Sequence, residues 1–402
     1  MEENFVRLDV FCDSVRDGTH DTPKPELEGK YLVTSRAIKN NSIYFNDCYF
    51  ISQKDFDKIN KRSLVEKWDV LMTMIGTVGR LLLVKENPDY AIKNIALFKI
   101  GNETKAKWLY YYLNMESVQK YFEMIANGTS QHFIGLGHMR KLKIPNISHK
   151  SDKIISILSF YDSLIENNTK RIRLLEQMAE NLYKEWFVRF RFPGHENTEF
   201  VDGLPKGWAI KKIKDCYNTC SGGTPNREKA EYYINGNIPW IKTGEIQDSI
   251  ILDTEEKITS DALKHSSAKL LPQNSLLMAM YGVNIGKLGI LTKQMSCNQA
   301  ACAFLPNDEN NTFYYLFFYL KSIREYLLNI GFGAAQQNLS QTLIKNIRII
   351  LPSKDIINCF EQKINRLYKQ IEILQRQSAL LTRQRDLLLP RLMCGKLEVK
   401  TI

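Results

Sequence analysis

Asp69-Val-Leu-Met-Thr-Met-Ile-Gly76 has a counterpart in the second half of the chain, Ser275-Leu-Leu-Met-Ala-Met-Tyr-Gly282. Another glycine and a basic residue follow each stretch, in Val78-Gly-Arg80 and in Ile285-Gly-Lys287. A short apolar run that ends in glycine is typical of a buried strand followed by a turn. The two stretches therefore predict the same strand and the same turn in two copies of one module.

Other segments recur in the same order on both sides of this pair. The recurring segments are 15–19 and 220–224, 31–38 and 239–246, and 127–131 and 332–336. Each copy then reaches an apolar segment that ends in a proline, Pro145 or Pro352. Chance matches would not remain collinear, so we expect an internal repeat of roughly half the chain.

After each of these prolines the apolar spacing becomes that of a long helix. Alternating steps of four and three residues form one seam from Ile154 to Trp186 and another from Phe360 to Leu392. Apolar seams of this length are buried against a partner. We expect the two helices to pair with each other, antiparallel and related by a pseudo-twofold axis; a parallel homodimer is the alternative. Asn168 interrupts the first seam, either as a surface position or as a residue that fixes the register.

These patterns predict an α/β fold in which two long helices separate two similar globular domains. With 402 residues, the chain also exceeds the ~250–300 residues at which a single core stops growing. We place the globular domains at 1–150 and 193–352. The helices are expected at 151–192 and 353–402, where they form an intramolecular antiparallel coiled coil.

The composition favours a polyanionic partner. Lys and Arg number 55 against 44 Asp and Glu, which gives a net charge of +11, and positive charge attracts nucleic acid. The eight cysteines form no CxxC pair, which argues against a disulfide framework and a zinc site. No apolar run approaches the ~18 residues of a membrane span, and Met1-Glu-Glu-Asn-Phe-Val-Arg7 is no signal peptide. We therefore expect a cytoplasmic protein without a membrane partner.

Two enzyme interpretations are weaker. Asn87-Pro-Asp-Tyr90 approaches the catalytic loop of amino-group DNA methyltransferases but lacks its second proline, and Phe133-Ile-Gly-Leu-Gly137 matches their cofactor loop. Such a loop needs a following helix, whereas we expect a strand there. Asp89, Glu103 and Lys105 fit a loose nuclease pattern that would hold Mg²⁺, but the second copy has no matching trio. A stand-alone methyltransferase or nuclease remains one alternative, and a coiled-coil scaffold that binds protein is the other.

Several further stretches carry a resemblance to a known family. They are Trp240-Ile-Lys-Thr-Gly-Glu-Ile246, the Gly-x-x-Gln-x-Asn-Leu run at 333–339, Leu182-Tyr-Lys-Glu-Trp-Phe-Val188, Phe192-Pro-Gly-His-Glu196 and the closing residues 388–397. Together with the two-copy layout, they make essentially the whole chain resemble a Type I restriction–modification specificity subunit.

That resemblance implies a non-catalytic subunit whose two globular domains are target recognition domains. Each would read one half of an asymmetric bipartite site in double-stranded DNA. The coiled coil would set the spacing between them and dock two modification (methyltransferase) subunits, and restriction subunits would complete the assembly. The partner subunits would bind S-adenosylmethionine, ATP and Mg²⁺, so this chain itself is expected to hold no cofactor and no metal.

Candidate DNA contacts are polar, basic or turn-forming residues in the loops of both copies. In the first copy they are Thr19, His20, Ser35, Arg36, Thr73, Arg80, Thr129, Gln131 and His132. In the second copy they are Gly223, Thr224, Asn226, Lys242, Thr243, Glu245, Tyr281, Asn284, Lys287, Gln336, Gln337 and Asn338. The alternative for each glycine is a tight turn, and for each polar residue a cap or a solvated surface group.

The exposed edges of the helix seams and the end of the first long helix are the candidate docking surfaces for the modification subunits. The aromatic residues at that helix end are Trp186 and Phe187. Packing inside the coil is the alternative for both side chains.

Overall fold

The computed structural model describes residues 5–39, 41–126, 132–148, 150–306, 313–331 and 338–397. The chain folds into two compact units. Unit 1 consists of Met1–Ile165 with Leu380–Ile402, and unit 2 consists of Glu166–Ala379. Each unit therefore contains one globular body and parts of both long helices.

Unit 1 is a mixed α/β body. Its strands are β1 (Phe5–Arg7), β2 (Ser14–Asp17), β3 (Lys30–Val33), β4 (Ile38–Lys39), β5 (Ser42–Ile43), β6 (Tyr49–Ile51), β7 (Val70–Thr73), β8 (Leu81–Leu83), β9 (Tyr90–Ile92), β10 (Ile95–Lys99) and β11 (Lys143–Pro145). Its helices are α1 (Leu8–Phe11), α2 (Gln53–Ser63), α3 (Glu103–Leu113), α4 (Glu116–Ile125), α5 (Leu136–Lys141) and the first part of α6 (Ser151–Tyr183).

The main sheet of unit 1 has four antiparallel strands in the order β2-β10-β7-β8. Its central strands, β7 and β10, are mostly apolar and are buried except at the last residue of β10, as nearly continuous apolar runs predict. A second sheet, β6-β3-β9, includes the parallel pair β3–β9. Helix α3 covers the core, and the Trp108 indole of α3 donates a hydrogen bond to the Pro145 carbonyl of β11 over 2.8 Å.

Unit 2 has the same kinds of element. Its strands are β12 (Phe200–Val201), β13 (Leu204–Pro205), β14 (Ala209–Lys212), β15 (Thr219–Ser221), β16 (Ile238–Ile241), β17 (Ser249–Ile251), β18 (Glu256–Ile258), β19 (Leu276–Ala279), β20 (Leu288–Leu291), β21 (Ser296–Cys297), β22 (Ala301–Phe304) and β23 (Arg348–Leu351). Its helices are the last part of α6, α7 (Ser260–Lys264), α8 (Phe313–Ser322), α9 (Arg324–Gly331), α10 (Gln341–Asn346) and most of α11 (Lys354–Met393).

The strand order of unit 2 reproduces that of unit 1. Its main sheet runs β15-β22-β19-β20, with β17 added at the edge. The sheet β18-β16-β21 again contains one parallel pair, β16–β21, and β14–β23 repeats the pairing of β1 with β11. The predicted internal repeat is therefore confirmed in the topology.

The two long helices pack antiparallel. In unit 2 the ring of Tyr183 lies 6.3 Å from that of Phe360, and the charge of Glu176, earlier in α6, acts on Tyr368, later in α11. In unit 1 the guanidinium of Arg385 donates to the Asp162 carboxylate over 2.7 Å. The predicted intramolecular pairing is thus confirmed. Neither long helix, nor any other helix of the described ranges, is long and apolar enough to span a membrane.

Polar residues of the seam are buried or paired. Asn168 is only 7% exposed, which excludes the surface interpretation. The Ser378 hydroxyl donates to the Leu374 carbonyl over 2.8 Å, so its polar group is satisfied within its own helix. A buried polar group at one seam position is the kind of residue that fixes helix register.

Candidate nucleic-acid interface

Turn 2, residues 280–287, joins strands β19 and β20 of unit 2. Gly282 and Gly286 both have positive φ, 79° and 75°, a region that other residues rarely adopt. The Gly286 amide donates to the Ala279 carbonyl over 2.8 Å and closes the turn. Tyr281 is partly exposed and Val283 is 98% exposed. The predicted turn thus carries two residues that a ligand can reach.

Turn 1, residues 74–80, is the equivalent connection between β7 and β8 of unit 1. Gly76 and Gly79 again have positive φ, 77° and 86°. The buried hydroxyl of Thr73 donates to the Thr77 carbonyl over 2.5 Å and accepts from the Arg80 amide over 3.0 Å. Thr73, a candidate contact, therefore shapes the turn from inside.

Turn 2 is fixed to a neighbouring segment, residues 242–248, which contains a short 3-10 helix, Thr243–Glu245. The buried Asn284 amide donates to the carbonyls of Thr243 and Gly244 over 3.0 and 3.1 Å. Lys287 Nζ donates to Gln247 Oε1 over 2.6 Å. Asn284 and Lys287 thus join the turn to the segment, and Asn284 does so away from solvent.

The segment itself is held by charged side chains. The Glu245 carboxylate accepts from the backbone amides of Lys242 and Glu255 over 2.8 and 2.9 Å. Lys242 Nζ bonds Glu255 and Glu256, over 2.9 and 3.1 Å, and these hydrogen bonds raise the pKa of its ammonium group. The charge of Lys242 is therefore largely compensated within the protein.

Unit 1 gathers several predicted residues around one corner, between β9 and β10. Asn94, with φ of 55°, occupies that corner. The His20 ring bonds Asn94 Oδ1 over 2.7 Å, and the Ser35 hydroxyl lies 3.4 Å from the Asn94 carbonyl. Arg80 of turn 1 donates to the Ile38 carbonyl over 3.3 Å. Turn 1 is thus joined to the segment that contains the 3-10 helix Ser35–Ala37, as turn 2 is in unit 2.

The glycine-rich loop of unit 2 is shaped by close backbone contact. A Cβ atom on Gly223 would lie 2.3 Å from the Ser267 carbonyl carbon, so the position has no room for a side chain. The Gly223 carbonyl accepts from the Trp240 indole over 3.0 Å. Asn226 accepts from the Glu228 amide over 2.9 Å, which forms the next turn. These two candidates support the loop, whereas the neighbouring Thr224 side chain is partnered by Gln299.

Other candidates differ in accessibility. Arg36 and His132 are exposed on unit 1, and the Thr19 hydroxyl accepts from the Asp21 amide over 3.1 Å. Asn338 is half-buried in unit 2. The candidates Thr129, Gln131, Gln336 and Gln337 lie outside the described residues.

The segments that follow those four candidates are bound to the turns. In unit 1 the Ile134 amide donates to the Met74 carbonyl over 3.0 Å, and the Gly76 amide donates to the His132 carbonyl over the same distance. In unit 2 the Leu339 amide donates to the Met280 carbonyl over 3.0 Å. Each unit therefore brings three predicted loop regions together around its turn.

The expectation of an accessible docking end at Trp186 and Phe187 needs correction. Both side chains are buried, at 5% and 7% exposure. The Phe187 ring lies 4.8 Å from each of the rings of Phe360 and Tyr315. Burial of such large apolar rings stabilises the fold. These residues pack against the second long helix and also against the globular core of unit 2, whereas the alternative interpretation placed them inside the coil.

The structure also shows the surroundings of residues from the two enzyme patterns. Asp89 pairs with Lys30, and Glu103, the first residue of α3, pairs with Lys107. The two carboxylates of the nuclease pattern are thus engaged in separate ion pairs. The expectation that a strand directly follows residues 133–137 was wrong, because the short helix α5 comes before β11. Unit 2 has the equivalent helix α10, so α5 belongs to the repeat.

Sequence reasoning missed two side chains that contact the turns. Gln119 of α4 reaches turn 1, and Arg324 of α9 reaches turn 2. Both precede an exposed tyrosine by two residues, in Gln119-Lys-Tyr121 and Arg324-Glu-Tyr326. A closer comparison of the two copies could have found this matching spacing.

Comparisons with known proteins agree with this architecture. A family model described as the Type I restriction modification DNA specificity domain matches the chain twice, at residues 2–177 and 205–384. The specificity subunit of the Type I restriction enzyme MjaIX of Methanocaldococcus jannaschii is 26% identical, over 95% of this chain and 87% of its own length. That of the HindI enzyme of Haemophilus influenzae is 26% identical, over 91% and 94%.

A solved structure supports the fold independently. The crystal structure of the Type-I restriction-modification system S subunit from M. genitalium has a TM-score of 0.54 and 16% identity, and the match covers 100% of this chain and 98% of that one. The family model, by its two matches, covers more than half of the residues. This chain therefore belongs to the Type I restriction modification DNA specificity family.

Proposed function

We propose that each unit reads one half of an asymmetric bipartite site in double-stranded DNA. The observation that carries the proposal is the same constellation in both units, a glycine turn joined to a 3-10 segment, built with different side chains. Arg80 of turn 1 corresponds to Lys287 of turn 2, and Ser35-Arg-Ala37 corresponds to Thr243-Gly-Glu245. Base edges are read by hydrogen-bonding side chains. The same backbone arrangement with different polar side chains therefore suits two different half-sites.

The family is one of DNA-recognition components and not of catalytic ones. In this role, exposed Arg and Lys side chains hold phosphates, and the net charge of +11 strengthens that attraction. Chemistry is left to partners: two modification subunits, which bind S-adenosylmethionine, and restriction subunits, which use ATP and Mg²⁺. We expect the complex to work in the cytoplasm.

The long helices supply the spacing and the docking surface. In unit 2 Leu174 and Met178 lie four residues apart on α6, are 59% and 57% exposed, and form an apolar strip on one helix face. Exposed apolar residues on a helix whose seam is already buried support a protein partner. We assign the docking role to this strip, in place of Trp186 and Phe187, and retain 1–150 and 193–352 as the two recognition domains.

Mapping of N6-methyladenine tests the proposed function. This chain is expressed with its modification subunit in a host that lacks such modification, and the methylated sites are sequenced. We expect one asymmetric motif with two specified parts and an unspecified spacer of constant length. A motif with a single contiguous part, or methylation by the purified chain alone, would contradict the proposal. A host carrying the modification subunit without this chain is the control.

A further inference from the structure

Arg324 of α9 ties three parts of unit 2 together. Its Nε donates to the Gly286 carbonyl in turn 2 over 2.9 Å. Its guanidinium also pairs with both carboxylate oxygens of Asp248, with Nη1 at 2.8 Å from Oδ2. Asp248 Oδ1 in turn accepts from the Leu288 amide over 3.0 Å. One side chain therefore holds the turn, the strand after it and the end of the 242–248 segment.

Gln119 of α4 makes the equivalent contact in unit 1. Its Nε2 donates to the Gly79 carbonyl of turn 1 over 3.1 Å and to the Leu113 carbonyl at the end of α3 over 2.7 Å. Gly79 is the counterpart of Gly286, because each is the last glycine of its turn. Turn 1 is held by α4, which follows α3, as turn 2 is held by α9, which follows α8. In unit 1 the side chain that holds the turn is a neutral amide.

Both glycines are shaped for this contact. A Cβ atom on Gly79 would lie 2.5 Å from Gln119 Oε1, and one on Gly286 would lie 3.2 Å from Arg324 Cγ. Each glycine also has positive φ, so a side chain there would be strained even if the clash were relieved. The two glycines thus allow the helix side chain to approach the turn backbone closely.

We propose that Gln119 and Arg324 are positioning residues that hold each turn in the conformation that reads its own half-site. This inference rests on the proposed function. Neither residue is assigned a contact with DNA; each acts through the turn, whose exposed residues include Val283 in unit 2. We call the side chain that holds each turn its clamp: Gln119 in unit 1, and Arg324 with its partner Asp248 in unit 2. The clamp in unit 2 is a largely buried ion pair, so its hydrogen bonds are stronger than those of the neutral clamp in unit 1.

The experiment uses the full complex on a library in which both half-sites are randomised. Arg324→Leu is expected to reduce base discrimination at least about fivefold in the half-site read by unit 2, a loss on the scale of one base contact. The half-site read by unit 1 is expected to stay unchanged. Gln119→Leu is expected to give the opposite pattern. Each variant therefore carries an internal control on the same chain.

A double variant separates positioning from general damage. Asp248→Asn with Arg324→Gln replaces the ion pair by a neutral amide clamp like that of unit 1, and we expect it to restore most of the discrimination that Arg324→Leu loses. Lys293→Ala is the matched control, because it breaks another ion pair of unit 2, with Asp253 over 3.2 Å. We expect both half-sites to be read normally in that control.

Two results would overturn the inference. One is an assembled Arg324→Leu complex with unchanged discrimination in both half-sites, and the other is an equal loss in both. If Arg324→Leu does not fold, the double variant provides the test. A folded double variant that does not discriminate bases in the half-site read by unit 2 would contradict the proposed positioning role. Failure of the proposed function would appear already in the unaltered complex, which would then show no bipartite motif.

Discussion

At the residue scale, the carboxyl group of Glu361 is strongly perturbed by burial in the core. It lies in α11, is buried, and accepts the backbone amides of Tyr315 and Tyr314 at the start of α8, over 2.7 and 3.4 Å. These bonds favour the charged form, but burial outweighs them and raises the pKa of Glu361 from an ordinary 4.5 to about 8. The side chain therefore caps the N-terminus of α8, where a negative charge is favourable. Burial of that charge is unfavourable, however.

This perturbation predicts how the stability of the protein depends on pH. The folded protein binds the Glu361 proton more tightly than the unfolded chain does. The contribution of the group is therefore complete below pH 4.5 and is lost as the pH rises from about 4.5 to about 8. Glu361→Gln has no charge to bury. Relative to that variant, the free energy of unfolding of the unaltered protein is expected to fall by on the order of a few kcal/mol across that pH interval.

Urea denaturation of both proteins at several pH values measures this difference. Parallel stability curves between pH 4.5 and pH 8 would contradict the expectation. Glu196→Gln is a suitable control, since its side chain is exposed and its charge change leaves the core untouched.

Residue types alone predicted part of the candidate site. Glycines followed by basic residues marked both turns, because a positive φ is a strong local constraint that the sequence displays directly. The inward orientation of Thr73 and Asn284 was not predictable, since a polar residue in a loop is equally compatible with a ligand contact and with a backbone cap. Only the fold shows that their partners are carbonyl groups of the protein.

At the element scale, the helix pair was predictable, but the ion pair that joins its two helices was not. The seams that begin at Ile154 and Phe360 are periodic over many turns, and a period of this kind identifies a paired helix well. The pairing of Arg385 with Asp162 connects residues far apart in the chain. No local pattern indicates such a contact.

That pair predicts a specific result in a double-mutant cycle. Asp162 accepts from Arg385 and, over 2.7 Å, from the Tyr111 hydroxyl of α3, so it joins the helix pair to the globular body of unit 1. Arg385→Leu leaves a largely buried carboxylate without its cation, and we expect a loss of about 3 kcal/mol in the free energy of unfolding. The double variant with Asp162→Leu is expected to lose less than Arg385→Leu alone, because no unpaired charge remains.

Thermal or urea unfolding of the two single variants and the double variant measures the coupling. Additive losses would show that the two side chains do not interact in solution. Arg376→Leu is the matched control, since Arg376 pairs with Glu372 on the exposed face of the same helix, and exposed pairs of this kind contribute little.

At the scale of the whole molecule, duplication was the feature that the sequence displayed best. The two collinear copies predicted the same elements in both halves of the chain, and the matching strand orders of the two main sheets confirm that repeat. The differences between the copies were harder to interpret. A neutral side chain in unit 1 and a charged one in unit 2 bond equivalent backbone carbonyls, those of Gly79 and Gly286. The backbone arrangement is therefore the same in both units although the side-chain chemistry differs.

The proposed docking strip predicts a defect in assembly with intact folding. Leu174→Glu combined with Met178→Glu places two charges on the exposed face of α6, where the seam of the helix pair is untouched. We expect the variant to keep its melting temperature within a few degrees, because substitutions on an exposed surface change stability little. We expect co-purification with the modification subunit to be lost, since charge at the centre of an apolar interface is unfavourable. Ile234→Glu, another exposed apolar residue of unit 2, is the control and should assemble normally, whereas assembly of the double variant at the normal level would show that the subunits meet elsewhere.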